Sequence, residues 1–296
     1  MNKCIVTSLV VVVLLTACIG QEWTVEDWKE HLFLMNPTLS QDASTMMPGF
    51  THMEIIPPGT HFAYKLEMVG AYLETDIPLS VLMDITFSGK EVVDGVDCFK
   101  ADLFMTMEMS MSGQTIKMEM EGVEWIEEST GAPIKIDMKM TADMEGVDIP
   151  LPMEFTVERV GEAEYHGHQC YLFEMNQEME VMGIELGEMK IVQYMDKETF
   201  AIVRQVMTMG EQEIDTEYIE PPISGEVEWQ LGHKETISTE LGTHECQIII
   251  LKQEGEEIGK MWVSKEFRTP LKYVITSQVE DSELTMTMTL TAYEFE

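Results

Sequence analysis

The chain has 296 residues, 45% of them apolar, and a formal net charge of −36. That apolar share can fill a core, which excludes wholesale disorder, and the length allows one large β-domain or two smaller ones. The charge excludes nucleic acid as a partner, since no basic stripe offsets repulsion from phosphates.

Residues 1–17 read as a signal peptide. Lys3 gives a short positive start, and Ile5 to Leu15 is an apolar run too short to span a bilayer. Leu15-Thr16-Ala17-Cys18 follows. It resembles the lipobox of prokaryotic lipoproteins, in which small residues precede the cysteine that becomes the first mature residue. The resemblance implies that Cys18 carries lipid and tethers the protein to a membrane outside the cytoplasm. The residues alone also allow ordinary secretory cleavage with Cys18 incidental, or an uncleaved N-terminal anchor.

Residues 18–58 read as a lipid-anchored linker with one short helix. Thr24 and Asp27 have the spacing of a capping box. Val25, Trp28, Leu32 and Met35 follow at helical intervals, and Asn36-Pro37 ends the run. The polar face holds Glu26, Asp27 and Glu30 against Lys29, the wrong sign for a membrane-surface helix. Packing on the rest of the protein is the expectation.

From His61 to Phe295 the pattern has period two. Strands are expected at 61–68, 80–87, 98–111, 115–126, 134–142, 153–160, 170–181 and 189–195. Further strands are expected at 201–209, 227–231, 246–253, 260–263, 271–278 and 284–295. Connections this short make neighbours antiparallel, and the absence of long helical patterns excludes a parallel βαβ sheet.

The strands repeat. Asp76, Pro78, Gly95 and Cys98 recur 72 residues later as Asp148, Pro150, Gly167 and Cys170, and a looser copy surrounds Cys246. Residues 59–220 hold the first two copies and residues 221–296 the third, read as continuing the same sheet. Pro221-Pro222 marks the boundary as a domain linker or a wide turn. The fold class is therefore all-β and mainly antiparallel, a curved sheet or half-open barrel of about three degenerate repeats.

Each copy also holds a hairpin motif: Trp125 to Lys135, Tyr194 to Arg204, and Trp262 to Lys272, aromatic to basic in ten positions. This motif, with a helix before a long antiparallel meander, resembles the LolA/LolB/LppX-like superfamily of extracytoplasmic lipoprotein and lipid carriers. The resemblance implies an incompletely closed barrel with an apolar concave face that binds acyl chains or another hydrophobic ligand.

Several residue groups are candidates for chemistry. Met105, Met107, Met109 and Met111 line one face of one strand, opposite Thr106, Glu108, Ser110 and Ser112. They read as core, as an adaptable groove for a hydrophobic ligand, or as thioether ligands for Cu(I). His166, His168 and Cys170 alternate, but three same-face residues on one strand span about 13 Å, too far for one ion. Cys98, Cys170 and Cys246 read as small buried residues, one per repeat. No phosphate loop, nucleophile elbow or zinc-protease helix is present. The expectation is no enzyme, no metal and no cofactor. Two functions stay open: a membrane-anchored binder of lipid or acyl chains, and a surface structural or interaction protein with a filled core and an acidic exterior.

Overall fold

The computed structural model describes residues 23–32, 35–36, 49–50, 56–70, 79–111, 114–144, 153–181, 184–197, 202–210, 212–217, 227–253, 255–279 and 282–295. Residues 1–17, read above as a signal peptide, Cys18 and Pro221-Pro222 lie outside these residues.

Helix α1 is Val25–His31. The expected capping box forms: the Asp27 amide donates to Thr24 Oγ1 (3.2 Å), and the Thr24 amide donates to Asp27 Oδ2 (2.7 Å). Both pairings satisfy groups that a helix start leaves free. The helix is shorter than its spacing predicts, since Leu32 is extended and Met35 lies in a strand. Seven residues make too short a helix to persist alone. Burial holds it, with Trp28 and Leu32 packed on Ile249, Leu251, Met261 and Val263. Its apolar stripe therefore faces the sheet.

The strands are β1 (Met35–Asn36), β2 (Gly49–Phe50), β3 (His61–Gly70), β4 (Leu79–Val93), β5 (Val96–Met111) and β6 (Gln114–Glu127). Next come β7 (Pro133–Met144), β8 (Met153–Tyr165), β9 (His168–Val181), β10 (Ile184–Asp196), β11 (Ile202–Met209) and β12 (Gln212–Glu217). The last are β13 (Glu228–Thr239), β14 (Gly242–Gln253), β15 (Glu256–Val263), β16 (Lys272–Val279) and β17 (Ser282–Glu294). Strands β1 and β2 pair with each other.

The remaining fifteen strands form one open, curved antiparallel sheet, ordered β12-β11-β10-β9-β8-β7-β6-β5-β4-β3-β17-β16-β15-β14-β13. The repeats are β4–β7, β8–β11 and β13–β16. Strands β12 and β13 follow each other in the chain yet occupy opposite edges. The third repeat joins the sheet through β17 on β3.

Alternation builds the core. On β4, Val81, Met83, Ile85 and Phe87 are buried while Leu82 and Ser88 are exposed. Phe62, Phe87 and Phe99 pack ring against ring, with centroids 6.0 and 6.4 Å apart. Every residue of β12 is exposed, so no apolar alternation announced it.

Two hairpins turn on left-handed pairs: Asp94 and Gly95 (φ 51° and 84°), then His166 and Gly167 (φ 50° and 90°). Both central residues of a tight two-residue hairpin need positive φ. His166 is thus a turn residue, not a strand neighbour of His168 and Cys170.

The hairpin motif is a cross-strand pair on the outer face. Trp125 opposes Lys135, Tyr194 opposes Arg204 and Trp262 opposes Lys272. Each cation stands 5.1–5.6 Å from its ring centroid, within cation–π range. The indole nitrogens of Trp125 and Trp262 donate to Glu91 and Glu235, each at 3.1 Å. Those acids stand opposite Cys98 and Cys246. In the middle repeat Ala163 stands opposite Cys170, and Tyr194 has no indole N–H to donate.

Gly122 and Gly259 stand three residues before Trp125 and Trp262. A Cβ at Gly122 would lie 2.3 Å from the Asp137 carbonyl oxygen, and one at Gly259 2.5 Å from that of Val274. Gly161 has open space at the same test. Gly122→Ala and Gly259→Ala are each expected to cost about 1–3 kcal/mol in urea unfolding, and Gly161→Ala to be within about 0.5 kcal/mol of wild type. Equal midpoints for all three would contradict the close approach.

Candidate functional site

Register converts methionines scattered along the sequence into a band across the sheet. Met83 pairs with Met105, Met105 with Met120, and Met120 with Met140. One step along the strands, Met107 pairs with Met118. Cross-strand partners on one face have Cβ atoms roughly 4.5–5.5 Å apart, so these side chains are neighbours.

The band opens along its length. Met83 and Met105 are buried in the main core, while Met107, Met118, Met120 and Met140 are half-buried. Phe155 and Met175 flank that open end. Of the methionines expected to form a site, Met105 is core and Met107 sits at its margin. The side chains of Met109 and Met111 lie outside the described residues. The sequence pointed along β5, whereas the structure runs the band across β4 to β7.

Glu124 breaks this face. It lies on β6 with the parity of Met118, Met120 and Ile126, between Ala101 and Ile136 on the adjacent strands. Its side chain is 0% exposed, and neither carboxyl oxygen has a hydrogen-bond partner. Burial alone pushes its pKa up from 4.5 to about 8, because the charged form has lost its water. Sequence reasoning missed it. The available signal was parity: Glu119 and Glu121 belong to the wet face, and Glu124 falls on the methionine side.

The repeats show what else this position tolerates. Counting back from the aromatic residue, Glu124 corresponds to Gln193 and Met261. Gln193 is also buried, but its amide donates to Gln205 on the paired strand at 2.9 Å. Met261 is buried beneath helix α1. Glu124 alone of the three is polar and unpaired.

An open groove of about 910 Å³ lies on the opposite face, lined by Asp102, Phe104, Glu121, Lys139, Glu154 and Thr156 among others. Those side chains alternate along their strands with core-facing residues, of which Leu103, Met138 and Phe155 also line the groove. Phe104, 41% exposed, is its most exposed apolar side chain.

The remaining candidates resolve as structure. Cys98, Cys170 and Cys246 are free and buried, and each thiol donates to the carbonyl two residues before it, at 3.4, 3.6 and 3.7 Å. His168 pairs with Asp196 at 2.9 Å, and His244 with Glu266 at 3.0 Å. The His166, His168 and Cys170 set does not converge.

No family model matches the chain, and no curated protein matches it. Solved structures with some likeness include a β-barrel-like protein of a domain of unknown function, DUF1849, from Brucella abortus. It is 7% identical with a TM-score of 0.34, over 81% of this chain and 99% of that one. A DUF1329 family protein from Desulfovibrio piger is 10% identical with a TM-score of 0.25, over 82% and 89%. A putative outer membrane lipoprotein-sorting protein domain from Vibrio parahaemolyticus is 8% identical with a TM-score of 0.20, over 81% and 87%. Likeness of this degree transfers no function.

Glu124 carries a prediction about pH. It is protonated in the folded protein up to about pH 8, but ionises near 4.5 once unfolded. Between those values the native state holds more protons, so stability falls as pH rises, by at most about 1.4 kcal/mol per unit. Glu124→Gln lacks this slope. The unfolding free energy of wild type minus that of the variant is expected to decline steadily from pH 5 to 8 in urea melts. A pH-independent difference would contradict the neutral buried carboxyl.

Proposed function

We propose that this protein is an extracytoplasmic lipoprotein, held at a membrane by lipid on Cys18, and that it binds a hydrophobic ligand without catalysis. The ligand class is a lipid or acyl chain, and its place is the half-buried end of the methionine band. The observation that carries this reading is the in-register band itself. Thioether side chains are unbranched and polarisable, so a surface made of them reshapes around varied apolar ligands. The sheet leaves that end of the band partly uncovered, whereas the Phe62–Phe87–Phe99 end is filled.

A second reading rests on that filled end. The packed core supports a surface structural or interaction protein whose repeats display an acidic exterior. An apolar cleft that takes up ligand separates the two.

Native mass spectrometry of the chain from residue 19 onward tests the leading reading. A co-purifying lipid of defined mass, lost on organic extraction and restored by added fatty acid or phospholipid, is the expected result. A clean mass with no uptake would move the function to the surface protein. Separately, Cys18→Ala is expected to shift the protein from the membrane fraction to the soluble fraction of its host. Unchanged membrane association would rule out the lipid tether.

A further inference from the structure

We infer that Glu124 is the head-group partner of the bound ligand and that this ligand is a lipophilic amine, its nitrogen at Glu124 and its apolar body on the methionine band. The inference rests on the reading of that band as a ligand site and adds its polar anchor.

The first support is the missing partner. A buried polar atom normally has a hydrogen bond, and one without needs a reason. Both oxygens of Glu124 are buried and unpaired. The fold does not demand this: the same scaffold position holds a self-paired glutamine in the second repeat and a methionine in the third.

The second support is the surroundings. Ala101 and Ile136 flank Glu124 across the strands, and Gly122 and Ile126 flank it along β6. The nearest charged residues of the adjacent strands, Lys100, Asp102, Lys135 and Asp137, have the opposite parity and face outward. Arg159 of β8 is on this face, with the parity of Val157 and opposite Phe173. It is held by Glu127 at 2.8 Å and leaves both Glu124 oxygens unpaired, so among the described residues no cation is paired with Glu124 and the counter-charge is assigned to the ligand. An anionic head could accept from the neutral carboxyl but would leave a buried net negative charge with no cation to balance it. A neutral head would gain one ordinary hydrogen bond. A protonated amine would gain a charge-assisted one, roughly twice as strong. The net charge of −36 draws cations toward the molecule before any contact.

The third support is a route. Met138 faces Gly122, and its Sδ lies 2.5 Å from where a Cβ of Gly122 would sit. It fills the space between Glu124 and the half-buried methionines Met120 and Met140. Methionine changes rotamer easily, so a swing of this one side chain joins the carboxyl to the band.

The proton balance follows. Glu124 enters as the neutral acid and the ligand as an ammonium ion. On pairing, the carboxyl O–H bond breaks, the carboxylate accepts from the N–H groups, and one proton leaves to solvent.

Isothermal titration of the chain from residue 19 onward at pH 7 tests this, with dodecylamine, dodecanol and dodecanoate each below its micelle concentration. Dodecylamine is expected to bind tightest, at least tenfold ahead of dodecanol, and dodecanoate weakest. Titration in two buffers of different ionisation enthalpy should show about one proton released per amine. Glu124→Gln should weaken dodecylamine about tenfold or more, abolish the proton release and weaken dodecanol far less, since its amide keeps a hydrogen bond. Glu124→Met, the residue of the third repeat, should weaken dodecylamine as much and abolish the proton release, and serves if the glutamine variant folds poorly. Equal amine affinity in wild type and variants would overturn the inference, as would amine binding without proton release. Dodecanol binding with no preference for the amine would sink the anchor and leave the hydrophobic site standing. Binding of none of the three would sink both.

Discussion

One strand pairing joins fifteen strands into a single sheet. Because β12 and β13 sit at opposite edges, the third repeat touches the first two through β17 lying on β3. The pairs run from Leu284 opposite Gly70 to Glu294 opposite His61. Through them the core rows cross the junction, as in Leu290, Tyr64, Met83 and Met105. The Tyr64 hydroxyl, buried among them, hydrogen-bonds Thr269 and donates to the Pro270 carbonyl at 2.9 Å. A buried tyrosine is held in place by its hydroxyl partner, so this contact ties the turn after β15 to the first half. Helix α1 adds a second strap, packing on β14 and β15 and accepting from Arg268 at the His31 carbonyl.

The charge sits outside this frame. The bases stand beside acids on the wet face: Lys90 with Glu128, Lys190 with Glu174, Arg204 with Asp215. Exposed pairs of this kind contribute little stability each. In a chain with 54 acids and 18 bases, their effect is to relieve local repulsion between strands rather than to hold the fold. Stability comes from the apolar face, where burial of each large side chain contributes roughly 1.5–3 kcal/mol. That division explains why a polar intruder on the apolar face stands out and an acid on the other face does not.

Strand positions were legible in the sequence because period-two alternation is a local property. The end of the helix was not, since Leu32 and Met35 have helical spacing and tertiary packing decides against them. Strand β12 has no apolar side to announce it. Strand β13 runs on past Leu231 through residues that are mostly exposed. The order of the sheet was also hidden. Three repeats in a row suggest stacking in sequence, and nothing local to β17 says that it pairs with a strand more than two hundred residues earlier. The methionine band shares that blindness: each methionine had the right parity on its own strand, but only register aligns them. The hairpin motif was visible as a spacing before its cause was. Ten residues from aromatic to base is the separation that places the two opposite each other across the hairpin.

The three repeats act as controls on one another. Their outer faces stay alike, with an aromatic stacked on a base each time. Their apolar faces diverge at the residue just before that aromatic on β6, β10 and β15, where Glu124, Gln193 and Met261 stand. In the third repeat the chain covers that place itself, laying Trp28 and Leu32 of helix α1 over Met261 and Val263. In the second, Gln193 closes on Gln205 and asks for nothing more. In the first, an isoleucine faces Glu124 where the second repeat has its glutamine, and the described residues supply no helix above it. A polar group with no partner costs a fold stability that an apolar residue at the same point would keep. The scaffold has shown twice that it can avoid that cost. Its presence in the first repeat, beside the partly uncovered methionines, is the physical reason to look for the ligand there and not on the other two.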